Sequence, residues 1–272
     1  MDGKQNSISP SELYARLGTA SAPFVIDVRR EADFAAADRL VASAWHRPPE
    51  IVELWSRDLP KDRPIVVYCM HGGAVSQTVA AALRDDGIDA AYLDGGIEGW
   101  IGSGLPTRRN IGAVPGKWVT RERPKIDRIA CPWLVRRFID PRAQFFYVPT
   151  VRVIAAAKAL EATPYDIDGA EFAHEGERCS FDTILRIYDI EDAPLDRLAR
   201  IVRGADTSRH DLSPECGGLY AISLGLSANY SDDHDMLAHG MVVYDALYAW
   251  CRVQAETHGR PGTVPVRQAA SK

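Results

Sequence analysis

Short apolar runs alternate with amphipathic stretches through the first hundred residues. The runs at 23–28 (PFVIDV), 63–69 (RPIVVYC) and 90–96 (AAYLDGG) are short and mostly apolar, which predicts buried strands. Residues 9–17 begin with a capping-box pattern and a first-turn proline, and residues 76–88 place valine, alanine and leucine on one face, so both are predicted helices. Strands that alternate with helices indicate an α/β fold with a parallel sheet flanked by helices.

Beyond residue 117 the apolar positions recur mainly with a helical period. The stretches 193–207 and 231–252 each carry one apolar stripe, and a further helix is predicted from Ser213 onward. Residues 142–149 (RAQFFYVP) predict a strand. The second half of the chain is therefore predicted to be a mainly helical domain of the α+β class.

Glycine and proline interrupt the periodic pattern at 102–116 (GSGLPTRRNIGAVPG), which predicts a linker. A length of 272 residues also favours two domains. The predicted organisation is a domain at 1–105, a linker at 106–116, a second domain at 117–256 and a flexible tail at 257–272.

The composition is that of an ordinary globular protein, with 46% hydrophobic residues and a net charge of −5. No apolar run approaches the roughly 20 residues that span a bilayer, and the N-terminus lacks the apolar stretch of a signal peptide. The five cysteines are widely spaced and form no CxxC pair, which argues against a disulfide framework or a zinc ribbon. A cytoplasmic protein without a membrane partner is therefore predicted.

The stretch YCMHGGAVSQ (68–77) joins the second predicted strand to the helix that follows it. Cys69 thus lies at the carboxyl end of a strand, where ligands bind in open α/β sheets. Glycines let consecutive N–H groups turn toward one point, and such surroundings lower the pKa of a thiol. The alternative is a cysteine that only packs at the strand end. The predicted anion-binding loop consists of Met70, His71, Gly72, Gly73, Ala74, Val75 and Ser76.

Three stretches in order, VIDVRREADF (25–34), VVYCMHGGAVSQ (66–77) and YLDGGIEGW (92–100), resemble the signature motifs of single-domain rhodaneses. The resemblance covers about residues 8–105. It implies a sulfurtransferase that carries sulfane sulfur as a persulfide on Cys69. The implied partners are a small sulfur donor, such as thiosulfate, polysulfide or another persulfide, and a thiol or protein acceptor.

Two features depart from the rhodanese pattern. The stretch DRLVASAW stands where the family has Gly-His-Ile, and the loop from Cys69 to Ser76 is one residue longer than usual. Phosphatases of this fold also have a longer loop, but they carry an arginine six residues after the cysteine. Val75 holds that position, so the guanidinium fork that clamps a phosphate is missing and a phosphatase is not expected. The resemblance implies a structural role for Asp27 and Arg29.

The segment 117–142 concentrates positive charge, with eight lysines and arginines against three acids. Arginine dominates, which suits forked recognition of oxyanions. One interpretation is therefore an oxyanion or nucleic-acid patch, and the other is a basic face paired with acids elsewhere. The candidate patch residues are Arg121, Arg123, Lys125, Arg128, Arg136 and Arg137.

The stretch AEFAHEGERC offers the donor types of a carboxylate–imidazole metal site. Glu171 and His174 would share a face only within a helical turn, so a site needs a residue from another segment, such as Asp206 or Asp245. The alternatives are an ion pair between Asp245 and an arginine, and a purely structural role for His174. A metal ion in the second domain is thus the one candidate cofactor.

Cys131 is a second candidate thiol. It precedes Pro132 in CPWLVRRF, which predicts a helix that begins here and a lowered thiol pKa. Burial against Trp133 and Leu134 is the alternative.

The basic segment and the strings GAEFAHEGERCSFD, ARIVRGADT and GMVVYDALYAWCR resemble the C-terminal domain of ChrB-type chromate resistance proteins over about residues 117–253. The resemblance implies a role in chromate resistance, with chromate as ligand, substrate or inducer. The first functional hypothesis is a sulfurtransferase fused to this domain. The second is a chromate-responsive sensor or transcriptional regulator that binds DNA through 117–142, although no helix-turn-helix pattern is visible. A rhodanese fold that binds without turnover is the third.

Overall fold

Parallel strands form the N-terminal sheet, which confirms the predicted α/β class. The computed structural model of the protein describes residues 6–256, so the predicted tail at 257–272 lies outside the described residues. The strands of this half are β1 (Ser7–Ile8), β2 (Phe24–Asp27), β3 (Arg39–Val41), β4 (Trp45–His46), β5 (Ile65–Tyr68), β6 (Ala90–Leu93) and β7 (Thr107–Arg109). The helices are α1 (Pro10–Arg16), α2 (Glu31–Ala35), α3 (Val52–Trp55), α4 (Ala74–Asp85) and α5 (Gly96–Gly102). The main sheet has the order β1-β6-β5-β2-β4, and every pairing in it is parallel.

Alternation along β5 divides the core of this domain between the two faces of the sheet. Ile65 and Val67 pack on the face covered by α3 and α4, whereas Val66 and Tyr68 pack on the face covered by α1 and α5. All four residues are buried, as expected for a strand in the middle of a parallel sheet. Because the strands are parallel, their carboxyl ends, including the one followed by Cys69, lie at the same edge.

A charged pair is buried at the end of β2. Arg29 Nη2 lies 2.6 Å from Asp27 Oδ2, and the two side chains are only 2% and 1% exposed. The Tyr68 hydroxyl donates to the same carboxylate oxygen at 3.0 Å and so links β5 to the pair. These contacts fit a structural role for Asp27 and Arg29, because a buried carboxylate requires partners of this kind.

The segment predicted as a linker begins with a strand. β7 pairs antiparallel with β3, with Thr107 opposite Val41 and Arg109 opposite Arg39. The indole N–H of Trp100 donates to the carbonyl of Pro106 at 2.9 Å. The chain therefore stays packed on the N-terminal domain as far as Arg109, and residues 110–116 connect it to the next domain without a helix or strand.

The C-terminal domain packs helices around a small parallel sheet of order β10-β8-β9, which confirms the prediction of a mainly helical second half. Its strands are β8 (Lys117–Arg121), β9 (Gln144–Val148) and β10 (Thr163–Pro164). Its helices are α6 (Asp127–Phe138), α7 (Val153–Leu160), α8 (Ser180–Tyr188), α9 (Ala193–Asp206), α10 (Glu215–Asn229) and α11 (Asp233–Glu256). Between residues 6 and 256, none of the helices combines the length and apolar character needed to cross a bilayer.

The prediction that a helix begins at Cys131 is wrong. α6 begins at Asp127, so Cys131 and Pro132 lie inside the helix, and both are buried. Pro132 has no N–H to donate to the carbonyl of Arg128, one turn earlier. Two tyrosine hydroxyls donate to that carbonyl instead, which explains why the helix tolerates the proline. They belong to Tyr165, at 3.2 Å, and Tyr147, at 3.4 Å. Burial raises the pKa of the Cys131 thiol rather than lowering it.

Asp192, immediately before α9, joins the two domains. Its Oδ1 accepts a hydrogen bond from the Tyr14 hydroxyl of α1 at 2.5 Å, and its Oδ2 accepts one from the Tyr248 hydroxyl of α11 at 2.9 Å. A second link is the ion pair between Arg39 Nη2 and Asp189 Oδ2 at 2.5 Å. The N-terminal domain is therefore held to the C-terminal domain by partly buried polar contacts.

Replacing the buried acid of the β2 pair should destabilise the protein strongly. In Asp27→Asn, the Arg29 guanidinium stays buried without its counter-charge, so we expect a loss of about 3–5 kcal/mol in the free energy of unfolding. Urea denaturation measures it. Glu50→Gln is the control, because the Arg30–Glu50 pair is exposed and spans 3.7 Å, and an exposed pair of this kind contributes about 0–1 kcal/mol. Equal effects in the two variants would contradict the structural role.

Candidate functional site

The Cys69 sulfur lies where β5 ends and the chain turns toward α4. The residue is only 7% exposed. The Ser76 hydroxyl oxygen lies 3.2 Å from Sγ, and the main-chain N–H groups of His71, Gly73 and Ser76 lie close enough to the sulfur to lower its pKa. Three main-chain donors and one hydroxyl therefore converge on a single sulfur atom.

Burial and hydrogen bonding act in opposite directions on the Cys69 thiol. Burial raises its pKa, because an apolar environment disfavours the charged thiolate. The Ser76 hydroxyl and the three N–H groups lower the pKa, and they outweigh burial, so that the pKa lies below its ordinary value. The other four cysteines are buried and their pKa values are raised. Cys69 is thus the thiol best suited to act as a nucleophile.

Two glycines allow the loop to approach the turn before α5. Gly72 has a φ of +69°, and a Cβ there would lie 2.6 Å from the carbonyl oxygen of Leu93. Gly96 has a φ of +57°, and a Cβ there would collide with the carbonyl oxygen of Cys69. The N–H of Ile97 donates to that same carbonyl at 3.0 Å. This main-chain packing fixes the loop in the conformation that turns its N–H groups toward the sulfur.

The other side chains of the predicted loop point away from the sulfur or pack elsewhere. His71 is exposed and pairs with the glutamate of α5, Met70 and Val75 pack against the two core clusters of the domain, and Ala74 begins α4. Ser76 alone among the loop side chains contacts the sulfur. The sequence pattern places Ser76 in the loop but does not predict that its hydroxyl contacts the sulfur. The position of this serine in the first turn of the helix after the cysteine could have indicated that contact.

Most arginines of the segment 117–142 contact acceptor groups within the C-terminal domain. Three of the arginines pair with acids: Arg121 and Arg128 contact Asp166, and Arg137 contacts Asp245. Two others donate to main-chain carbonyls: Arg123 to those of Ser227 and Tyr230, and Arg136 to that of Ala143. Lys125 is partly exposed. These five guanidinium groups therefore have acceptors within the domain, as in the alternative of a basic face that is paired elsewhere.

Three carboxylates from separate segments of the C-terminal domain surround one imidazole. His174 Nε2 lies 3.2 Å from Asp206 Oδ2, 3.3 Å from Asp166 Oδ1 and 3.4 Å from Asp127 Oδ2. Asp127 is completely buried, whereas the His174 side chain is 41% exposed. The cluster therefore extends from the interior of the domain to its surface.

The candidate metal ligands named from the sequence separate into two groups. His174 and Asp206 lie together in the cluster. Glu171 is exposed and stands outside it, and Asp245 instead binds Arg137 at 2.8 Å, which is the ion pair given as the alternative. The sequence did not reveal the other two carboxylates of the cluster, because they come from distant segments that no local spacing connects.

The members of the cluster shift each other's pKa values. The nearby carboxylates of Asp127, Asp166 and Asp206 raise the pKa of His174 to about 12. Burial raises the pKa of Asp127 to about 6, although the contact with His174 opposes this shift. For Asp166, burial raises the pKa, but hydrogen bonds from His174 and from Arg121 outweigh it, so the pKa is lowered. When it is protonated, His174 is therefore a counter-charge to the surrounding carboxylates.

Comparisons with known proteins assign both halves of the chain. Residues 9–103 match the model of the rhodanese-like domain family, and residues 118–251 match the model of the ChrB C-terminal domain. The chain joins a rhodanese-like domain to a ChrB C-terminal domain.

The two domains have relatives of different kinds. Protein ChrB of Cupriavidus metallidurans is 33% identical over 162 residues, which are 59% of this chain and 48% of that protein. A sulfurtransferase of Allochromatium vinosum is 29% identical over 101 residues, 37% of this chain and 92% of its own length. Thiosulfate sulfurtransferase GlpE of Tolumonas auensis is 36% identical over 75 residues, 27% of this chain and 68% of its own length. The chain thus spans about half the length of the ChrB relative.

Alkylation of the rhodanese-like domain should reveal the lowered pKa of Cys69. The rate with iodoacetamide follows the thiolate fraction, which rises with pH, so a lowered pKa displaces the rate profile to lower pH than that of an ordinary cysteine. Ser76→Ala removes the largest contact that lowers the pKa and should displace the profile back to higher pH. Peptide mapping identifies the alkylated residue. Ser103→Ala, at an exposed serine of the same domain, should leave the profile unchanged. Coincident profiles for wild type and Ser76→Ala would refute the assigned cause.

Proposed function

We propose that the rhodanese-like domain is a sulfurtransferase that carries sulfane sulfur as a persulfide on Cys69. The convergence of three N–H groups and the Ser76 hydroxyl on Sγ is the observation that supports the proposal. The same kind of donor suits the outer sulfur of a persulfide, which carries the negative charge after transfer. Two relatives of this domain are named sulfurtransferases, which supports the same reaction class.

The reaction needs no oxidant when thiosulfate is the donor. The Cys69 thiolate attacks the outer sulfur of thiosulfate and forms a new S–S bond. The S–S bond of thiosulfate breaks, and its electron pair leaves with sulfite. An acceptor thiolate or cyanide then attacks the outer sulfur of the persulfide, and the Cys69 thiolate is released for the next cycle. A polysulfide or another persulfide serves as donor by the same exchange.

The charge and enclosure of the site restrict what it binds. The positive potential comes from main-chain dipoles, and an arginine is missing at the position that phosphatases use, so the site suits the single charge of a persulfide. Because Cys69 is 7% exposed, the acceptor meets the outer sulfur rather than Sγ. All five cysteines are free, which suits a reducing compartment such as the cytoplasm.

Loss of the nucleophile should abolish sulfur uptake. After treatment with thiosulfate or polysulfide, the intact mass of the wild type should increase by one sulfur atom, and cyanide should remove that atom as thiocyanate. Cys69→Ala should show neither result, since the remaining thiols are buried and their pKa values are raised. Cys216→Ala is the matched control and should behave like the wild type. Equal uptake and turnover in Cys69→Ala would rule out the proposed function.

A second candidate function is the binding of a tetrahedral oxyanion between the domains. A cleft of about 590 Å³ is lined by residues of both domains, among them Arg47 and Arg108 from one and Lys117 and Arg142 from the other, with Asp140 as the acid. An excess of positive charge in a cleft of this size favours a small dianion, and chromate belongs to this class. The similarity to ChrB supports chromate as the ligand to test.

One specific observation favours an anion in this cleft. Arg108 is only 3% exposed, and its Nε–H finds no hydrogen-bond partner among residues 6–256, although its Nη2 donates to the carbonyl of Ala44 at 3.0 Å. Burial, with the neighbouring Arg142, lowers the pKa of Arg47 to about 10. Arg108 is buried with a free N–H, and the two less buried guanidinium groups of Arg47 and Arg142 repel each other, so all three gain from a bound oxyanion.

Removal of one cleft arginine should weaken oxyanion binding. In Arg142→Gln, the affinity for chromate, and for sulfate as a redox-inert analogue, should fall about 10- to 150-fold, because an ionic hydrogen bond of about 1.5–3 kcal/mol is lost. Isothermal calorimetry measures both anions. Arg152→Gln changes an exposed arginine away from the cleft and should have no effect. Undetectable binding to the wild type, or equal loss in both variants, would refute the second candidate.

A further inference from the structure

Three donor atoms of the ChrB C-terminal domain lie close enough to share one ion. Asp127, His174 and Asp206 each offer a ligand atom, and these atoms all lie within 4.8 Å of one another. Asp127 is the first residue of α6, His174 lies in the loop before α8, and Asp206 is the last residue of α9. The fold therefore brings together three ligand residues that are far apart in the sequence.

The distances around His174 fit coordination better than hydrogen bonding. A single Nε2–H group cannot point at three carboxylate oxygens, and ionic N–H···O bonds are about 2.7–2.9 Å long. All three contacts of Nε2 are longer, at 3.2, 3.3 and 3.4 Å. Ligands bound to Zn²⁺ at about 2.0–2.1 Å in a tetrahedron stand about 3.3–3.4 Å apart, close to the 3.2 Å from His174 to Asp206 and the 3.4 Å from His174 to Asp127.

Two main-chain N–H groups at the start of α8 fix the orientation of the Asp127 carboxylate. Its Oδ2 accepts the N–H of Ser180 at 2.6 Å, and its Oδ1 accepts the N–H of Phe181 at 3.1 Å, both at the start of α8. Asp166, next to it, accepts the Ser180 hydroxyl at 2.9 Å and contacts Arg121 at 3.0 Å. Hydrogen bonds of this kind to ligand carboxylates orient them and exclude other geometries, as is usual around metal ions.

The site is open on one side. The Asp127 side chain is fully buried, that of Asp206 is 19% exposed and that of His174 is 41% exposed. Two carboxylates and one imidazole would supply three ligands and leave a fourth position that faces solvent. Three protein ligands with an open position are typical of catalytic rather than structural zinc sites.

We propose that Asp127, His174 and Asp206 bind one divalent transition-metal ion, with Zn²⁺ as the best-fitting ion and the fourth position free for water or an anionic ligand. Carboxylate and imidazole donors without thiolate suit Zn²⁺ and the neighbouring first-row ions. The site is separate from Cys69 and does not depend on sulfur transfer.

Metal titration of the full chain tests the proposal. After treatment with a chelator and its removal, the protein should take up one Zn²⁺ per chain, measured by competition with a chromophoric chelator and by elemental analysis. His174→Ala and Asp206→Asn should each weaken binding by at least about 100-fold, because loss of a supporting residue alone costs about 10–100-fold. Asp127 is left unchanged, since its carboxylate also caps α8.

Two controls separate this site from other zinc binding. Glu171→Gln removes an exposed acid from the same loop and should keep the affinity of the wild type. Cys69→Ala should also keep it, and Co²⁺ in place of Zn²⁺ should give visible ligand-field bands without thiolate charge transfer. Failure of the wild type to bind one Zn²⁺, or unchanged affinity in His174→Ala and Asp206→Asn, would overturn the metal site. Neither result would affect the persulfide assay on Cys69.

Discussion

Main-chain packing between two glycine turns is the constraint on which the surroundings of the Cys69 thiol depend. Gly72 and Gly96 lie so close to neighbouring carbonyls that a Cβ at either position would push the loop away from α5. The loop keeps its N–H groups on the Cys69 sulfur because its carbonyls are bonded to the start of α5. The resulting potential comes from fixed dipoles rather than from titratable side chains. It therefore persists over a wide pH range.

In the C-terminal domain, buried negative charges need positive partners. It buries several carboxylates, including Asp127 and Asp166, and such groups are costly without counter-charges. The basic segment supplies them: Arg121 and Arg128 reach Asp166, and Arg137 reaches Asp245. Three arginines of the segment thus balance acids inside the domain. This explains how a segment rich in arginine can lie in a chain whose net charge is −5.

Features formed by residues close together in the chain could be predicted from the sequence. The strand before Cys69, the glycines after it and the helix that follows are neighbours in the chain, so the loop could be anticipated from spacing. The start of α6 could not, because Pro132 resembles a first-turn proline, and only the distant Tyr165 hydroxyl shows how its missing N–H is compensated. His174 and Asp206 were found by residue type. Nothing in the sequence indicated that Asp127 lies beside His174, since its partners at the start of α8 are more than fifty positions away in the chain.

The carboxylate that receives both Tyr14 and Tyr248 has a consequence for how the molecule unfolds. Separation of the domains would remove the Tyr14 hydroxyl from Oδ1 of Asp192, while Tyr248 would still donate to Oδ2. The loss of this partner opposes detachment of either domain. Ala42, from the N-terminal half, also belongs to the hydrophobic core of the second domain. Heating should accordingly melt the two halves in one cooperative transition, and a cut between residues 110 and 116 should give fragments that remain associated.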